Sequence, residues 1–319
     1  MHIHVIGDSV SEGAGAEGPQ VALPHNVQFE SLLGPRGWVA YLSILLASSF
    51  PNQTTYIGNH AVGSQGPDYF WHCTSITGFY HAILLESVRP GEDESWNRLL
   101  TYYKNAILVD YRDPAFATMN KSELEPGLTI VDATDIFMKH NKDGIHPTDE
   151  GHQLIAYRVH RLLISQDWSP VEARPRPVLC LKAHEMVPAA GELNGFKLRR
   201  WRNSHGAVKA SWQAWHEGDS ATFSLPHDTK GIFVNVYTRQ NMSSFNTIVR
   251  TNNAIHWDVE KLHRTASDYW WLPAGRGLDK PLLVARGHFP QGMPITFVNR
   301  CAGTCELQIT GLLLTLDAT

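Results

Sequence analysis

The sequence predicts two domains of different class: an α/β domain, built as three α/β/α layers around a mostly parallel five-stranded sheet, and after it an all-β sandwich of jelly-roll type. Three observations carry this. Short apolar runs alternate with helical patterns through residues 1–168, the arrangement of a parallel sheet covered by helices. Prolines then crowd the stretch 169–177, where fixed φ angles and missing N–H donors interrupt both helix and sheet. From 178 to 319, apolar runs recur at short intervals between Gly, Pro, Asn and Asp, as in an antiparallel sandwich. A chain of 319 residues is long enough for each part to bury its own core.

In order along the first domain, the apolar runs place strands at 2–6, 54–58, 81–87, 106–110 and 128–131. Between them, residues 38–48 and 95–103 repeat apolar side chains at helical spacing, and 148–164 does so most clearly, with Thr148 suited to cap its N-terminus. In the second domain the strand-like runs lie at 221–225, 232–237, 247–250, 282–285, 295–298 and 307–316. No repeat of fixed period and no low-complexity tract interrupts either part.

Composition narrows the function. The formal net charge is -4, with 27 Lys and Arg against 31 Asp and Glu, so there is no basic surplus for a nucleic acid backbone. No apolar stretch has the length of a membrane span, and residue 1 leads straight into the first strand with no basic-then-apolar leader. The expectation is a soluble chain, cytoplasmic or exported after losing a leader. Three sequons, beginning at Asn52, Asn120 and Asn241, tilt this slightly toward export. Cys73, Cys180, Cys301 and Cys305 are too few and too scattered to read as a disulfide framework, and they lack paired metal-ligand spacing.

Two short motifs carry chemistry. Gly7-Asp8-Ser9 follows the first strand, at the carboxyl end where ligands gather in such sheets. Asp143-Gly144-Ile145-His146-Pro147 precedes the long helical pattern and puts a carboxylate and an imidazole on one turn. Pro147 restricts His146 to extended backbone. A serine hydroxyl is a weak nucleophile at neutral pH and needs an imidazole to take its proton and an acid to hold that imidazole. Ser9, His146 and Asp143 fill those roles. The plain alternative is a turn after a strand and a surface histidine before a helix, but the two motifs in their matching contexts weigh against it.

On these blocks the first half, roughly residues 1–168, resembles the GDSL or SGNH hydrolase superfamily of serine esterases and lipases. The resemblance implies Ser9 and His146 as the catalytic pair, Asp143 orienting the histidine, and no metal or organic cofactor. It also implies an oxyanion hole from the Ser9 N–H, a glycine N–H in a second block and an asparagine in a third. Asn59-His60-Ala61-Val62-Gly63-Ser64 matches the second block, with Gly63 as the donor. The third block is not matched: Ser87-Val88-Arg89-Pro90-Gly91-Glu92 stands after its strand, with no asparagine, and leaves Arg89 as a candidate replacement. One missing donor costs about two to three orders of magnitude in rate.

Other patterns carry less. Gly13-Ala14-Gly15-Ala16-Glu17-Gly18 fits a dinucleotide fingerprint in spacing, but it begins well after the strand and runs into Pro19 rather than a helix. His2 and His4 share a strand face without an evident third ligand. Trp212, Trp215, Trp257, Trp270 and Trp271 could stack on sugar rings, although such residues are more often sandwich core. In outline the second domain resembles the accessory jelly-roll modules of some carbohydrate esterases. The sequence thus reads as a serine esterase acting through an acyl-enzyme on a small-molecule or glycan ester, with O-acetyl groups on a carbohydrate preferred. A glycan-binding protein that keeps the fold without catalysis, or an O-acyltransferase using the same residues, are the competing readings.

Overall fold

The computed structural model describes the chain except residues 17–19, 32, 64, 88–92, 114–128, 175, 203–207, 240–246, 251–255, 260–276, 300–305 and 317–319. Contacts divide it into two units, Met1–Pro175 and Arg176–Thr319. Each is described by itself.

The first unit runs β1 (His2–Ile6), α1 (Ser9–Glu12), β2 (Val27–Ser31), α2 (Gly37–Ser49), β3 (Thr55–Asn59), α3 (Pro67–Cys73), β4 (Phe79–Tyr80), β5 (Ala82–Ser87), α4 (Asp93–Tyr102), β6 (Ala106–Asp110), β7 (Thr129–Asp132), α5 (Thr134–Lys139), α6 (Asp149–Ile164) and β8 (Val171–Glu172). Six strands form one parallel sheet in the order β2-β3-β1-β5-β6-β7. The sixth, edge strand β2, adds to the five expected; its Val-Gln-Phe-Glu-Ser alternates half-buried with exposed side chains, as an edge strand does. β8 falls inside the proline-rich stretch and pairs with β4, its Val171 opposite Tyr80.

Apolar residues of one sheet face, Ile3, Val5, Ile57, Leu84, Ile107 and Val109, pack with Trp38 and Leu42 of α2 and with Ile155 and Val159 of α6. Successive side chains on a strand point to opposite faces, so His4 and Ile6 lie on the other side, where α4 meets β5 and β6. Fully burying one such aliphatic side chain is worth about 1.5–3 kcal/mol. Thr148 caps α6 by accepting from the Gly151 N–H (3.2 Å). No helix among the described residues is long and apolar enough to cross a membrane.

The second unit is an antiparallel sandwich. One sheet orders β10 (Pro188–Asn194), β13 (Ser220–Ser224), β18 (Pro294–Val298), β15 (Thr247–Arg250) and β16 (His256–Val259). The other orders β11 (Lys197–Arg202), β12 (Val208–Ala214), β19 (Leu307–Leu316), β14 (Thr229–Arg239) and β17 (Gly277–Phe289), with β9 (Val178–Lys182) also on β19. Trp212 belongs to the core between them: it is buried against Phe223 and donates from Nε1 to the Ala183 carbonyl (2.8 Å). Trp215 is half-buried with the Arg199 guanidinium 5.4 Å from its ring. The side chain of Trp257, and Trp270 and Trp271 entirely, lie outside the described residues. Cys73 and Cys180 are each disulfide-bonded, a state that wide sequence spacing did not announce.

Candidate active site

Ser9 stands one turn beyond the end of the central strand β1, as the first residue of α1. Asp8 caps that helix and its carboxylate accepts from the Ser9 N–H (2.6 Å). Gly13 ends the helix in the left-handed region at φ 95°. A short, tightly closed helix thus presents the hydroxyl at the carboxyl edge of the sheet.

The His146 side arrives on a loop closed on itself. Asn141 Oδ1 accepts from the N–H groups of Asp143 (3.0 Å) and Gly144 (2.6 Å), and Gly144 takes φ 86°, a conformation glycine adopts without strain. The Lys142 N–H donates to the His146 carbonyl and the Thr148 N–H to the His140 carbonyl, so the turn folds back just before α6. Asp143 Oδ1 then accepts from the Ile145 (3.2 Å) and His146 (2.9 Å) N–H groups.

These two segments meet. His146 Nε2 lies 2.9 Å from Ser9 Oγ, and His146 Nδ1 lies 2.9 Å from Asp143 Oδ2 and 3.1 Å from Oδ1. With the proton on Nδ1 facing the carboxylate, Nε2 is free to accept from the serine hydroxyl, which is the tautomer a general base needs. His146 is buried, and Asp143 keeps 35% of its side chain in solvent.

The backbone donors are engaged differently from the sequence expectation. Gly63 does sit beside Ser9: a Cβ added there would fall 3.4 Å from Ser9 Cβ. Its N–H, however, donates to the Glu12 carboxylate (3.2 Å), as the Ser9 N–H does to Asp8. Both donors therefore rest on carboxylates of α1 and its cap. Glu12, only three residues beyond Ser9, is a residue the sequence reading passed over. Arg89, expected as a substitute third donor, lies outside the described residues.

Further polar groups line the carboxyl edge of the sheet. Glu86 of β5 is buried and accepts from the Ser11 N–H (2.6 Å). Arg112 is fully buried and holds both Asp110 carboxylate oxygens, with Nε at 2.6 Å and Nη2 at 3.0 Å. Burial, and then the charges of Glu86 and Asp143, push the Tyr111 hydroxyl above its ordinary range, so it remains a phenol. Asp110, Tyr111 and Arg112 are consecutive, and the sequence reading passed over them; Glu86 joins them only through the pairing of β5 with β6.

The fold and this geometry define a three-layer α/β unit with a serine, histidine and aspartate in hydrogen-bonded series, joined in one chain to an antiparallel β-sandwich. Solved structures share the fold. One, a two-domain esterase active on acetylated mannans and co-crystallised with mannopentaose, superposes with a TM-score of 0.60 at 13% identity, covering 100% of this chain and 92% of its own. A second structure of a two-domain esterase active on acetylated mannans gives 0.56 at 12% identity with the same coverage. At such identity the likeness establishes the fold. No protein-family model and no curated protein sequence matches the chain.

Proposed function

We propose that the protein is a serine esterase that removes acyl groups, most readily O-acetyl groups, from a carbohydrate. The observation that carries this reading is the 2.9 Å approach of His146 Nε2 to Ser9 Oγ with Asp143 on the opposite ring nitrogen. Ser9 Oγ attacks the ester carbonyl as its proton passes to Nε2, giving a tetrahedral oxyanion. Collapse expels the alcohol, which takes the proton from His146, and leaves acetyl on Ser9. Water, deprotonated by His146, then attacks the acyl-enzyme, and Ser9 Oγ leaves by taking that proton from the imidazole, which releases acetic acid and restores the serine and the neutral histidine. Asp143 holds the imidazole and offsets the positive charge it gains in each half.

For the oxyanion to form, the Ser9 and Gly63 N–H groups exchange their carboxylate partners for it. The fold shared with the mannan-active esterase, and the second β-rich unit, support a polymeric glycan ester as substrate. Incubation with a fluorophosphonate probe tests the reading, with Ser9→Ala as the control. The expected result is labelling of the natural chain alone, acetate release from an acetylated mannan, and loss of both in Ser9→Ala at unchanged melting temperature. Turnover retained by Ser9→Ala would assign another nucleophile.

One observation favours a second reading. Both backbone donors already bind carboxylates, which fits a glycan-binding protein that keeps the hydrolase fold without turning over. An unlabelled Ser9 together with binding of mannan oligosaccharides would select it.

A further inference from the structure

His152 lies on α6, six residues beyond His146, and is fully buried. The Trp38 backbone N–H donates to its Nδ1 (3.1 Å), so that nitrogen carries no proton. The proton is therefore on Nε2, which donates to the Ala14 carbonyl (3.0 Å). Adding a second proton would set one N–H against another and charge a buried ring; burial accordingly holds the imidazole down to about 4. At working pH the ring is a fixed, neutral bridge.

What it bridges is the nucleophile's side of the site to the base's side. Ala14 follows α1 directly, between Gly13 and Gly15, both at φ 95°. Gly15 packs so closely on the His146 turn that a Cβ there would stand 2.9 Å from His146 Cβ and would strike the Pro147 carbonyl. Trp38 extends the same connection: its Nε1–H donates to Ser11 Oγ (3.2 Å), two residues from Ser9. Ser11 is tied down further by the Asn59 side chain at its carbonyl (2.7 Å) and by Glu86 at its N–H.

We propose that His152 is a positioning residue, one that clamps the loop after Ser9's helix to the helix after His146 and so sets the Ser9 to His146 separation. The inference rests on the esterase reading and goes beyond it, since His152 touches no reacting atom. A displacement of about 1 Å between reacting groups costs up to about 100-fold in rate. The two ring contacts are separable by substitution. Gln places an amide N–H where Nε2 donates and can keep the Ala14 contact. Asn can accept from Trp38 near Nδ1 but is too short for Ala14, and Phe keeps the ring shape with neither contact.

The test compares full-length His152→Gln, His152→Asn and His152→Phe with the natural chain. It measures kcat and KM on 4-nitrophenyl acetate, the rate of fluorophosphonate labelling, and the downfield proton resonance of the His146 Nδ1–H. In the Asn and Phe variants, kcat and labelling are expected to fall about 10- to 100-fold with KM within about twofold, and the His146 resonance to broaden or shift. The Gln variant is expected to recover most of the rate. Folded Asn and Phe variants with natural labelling rate and an unmoved resonance would overturn the proposal, and the Asn variant alone decides it if Phe fails to fold. If the natural chain neither labels nor turns over, the esterase reading fails; the resonance then decides the clamp, a shift in Asn upholding it and no shift overturning it.

Discussion

Replacing Asp143 by asparagine separates two jobs that one carboxylate performs. Oδ1 anchors the turn by accepting from the Ile145 and His146 N–H groups, and an asparagine oxygen can keep both bonds. The His146 Nδ1 contact cannot survive unchanged, because the asparagine amide donates where the carboxylate accepted. The ring then does best with its proton on Nε2, facing Ser9, and can no longer take the serine proton. In a fully buried site such an exchange costs about 10⁴-fold in kcat. Here 35% of the Asp143 side chain meets solvent, which screens its charge and lets water relieve the mismatch. The expected loss is therefore about 10²- to 10³-fold, equivalent to about 2.7–4 kcal/mol of transition-state stabilisation. Steady-state hydrolysis of 4-nitrophenyl acetate at pH 7.5 measures it, and KM should change little because Asp143 touches no part of the substrate. A variant within about threefold of the natural kcat, with its melting temperature intact, would refute the view that His146 depends on Asp143 for its tautomer.

Other outcomes follow from the same geometry. On the second sheet face His4 Nδ1 lies 2.9 Å from His60 Nε2 with the rings stacked; burial first, then His60 and His2, lower His4 to about 4, and burial lowers His60 against the opposing pull of Glu30. A histidine held neutral in the fold stabilises it above its unfolded pKa near 6.5, and that stability is lost as pH falls toward 4. The unfolding free energy from urea titrations should therefore fall between pH 7 and pH 5, by about 1–2 kcal/mol from His4 alone, and His4→Phe should flatten the slope; a slope unchanged in that variant would assign the acid sensitivity elsewhere. Cys73 and Cys180 should resist alkylation in denaturant until a reductant is added, which peptide mass spectrometry reads directly. Arg89→Ala should lower kcat far more than it raises KM if the guanidinium serves the oxyanion, and unchanged kcat would leave the two backbone N–H groups as the whole donor set.

The two segments that bring Ser9 and His146 together were legible because each is local. A strand followed by Gly-Asp-Ser fixes one side, and Asp-x-x-His-Pro before a capped helix fixes the other, so only their meeting depended on the fold. Glu12 was equally close in sequence but unreadable, since its partner, the Gly63 N–H, comes from a loop 51 residues away. The histidine cluster failed for the same reason: His4 pairs with a residue beyond β3, and His2 meets His81 beside β5. β2 was missed because its exposed Gln28 and Glu30 dilute the apolar signal that buried parallel strands give. In the sandwich, patterning located β13, β14, β15, β17, β18 and β19 but not β9 to β12 or β16, and Trp212 showed its role as core only when Phe223 was set against it.

Chain order also governs when Ser9 and His146 can meet. Ser9 follows a strand in the interior of the sheet, one that needs β3 on one flank and β5 on the other, while its histidine waits 137 residues downstream. During synthesis β1 emerges before both of its sheet partners, and the Ser9 hydroxyl lacks its imidazole until the His146 turn has also been made. Long-range contacts must close before the imidazole reaches it, so on the proposed esterase reading nucleophilicity at Ser9 follows the assembly of the sheet. On that reading, Ser9 labels with a serine probe only once the His146 turn has docked beside it, so labelling during refolding reports the closing of a contact that spans 137 residues.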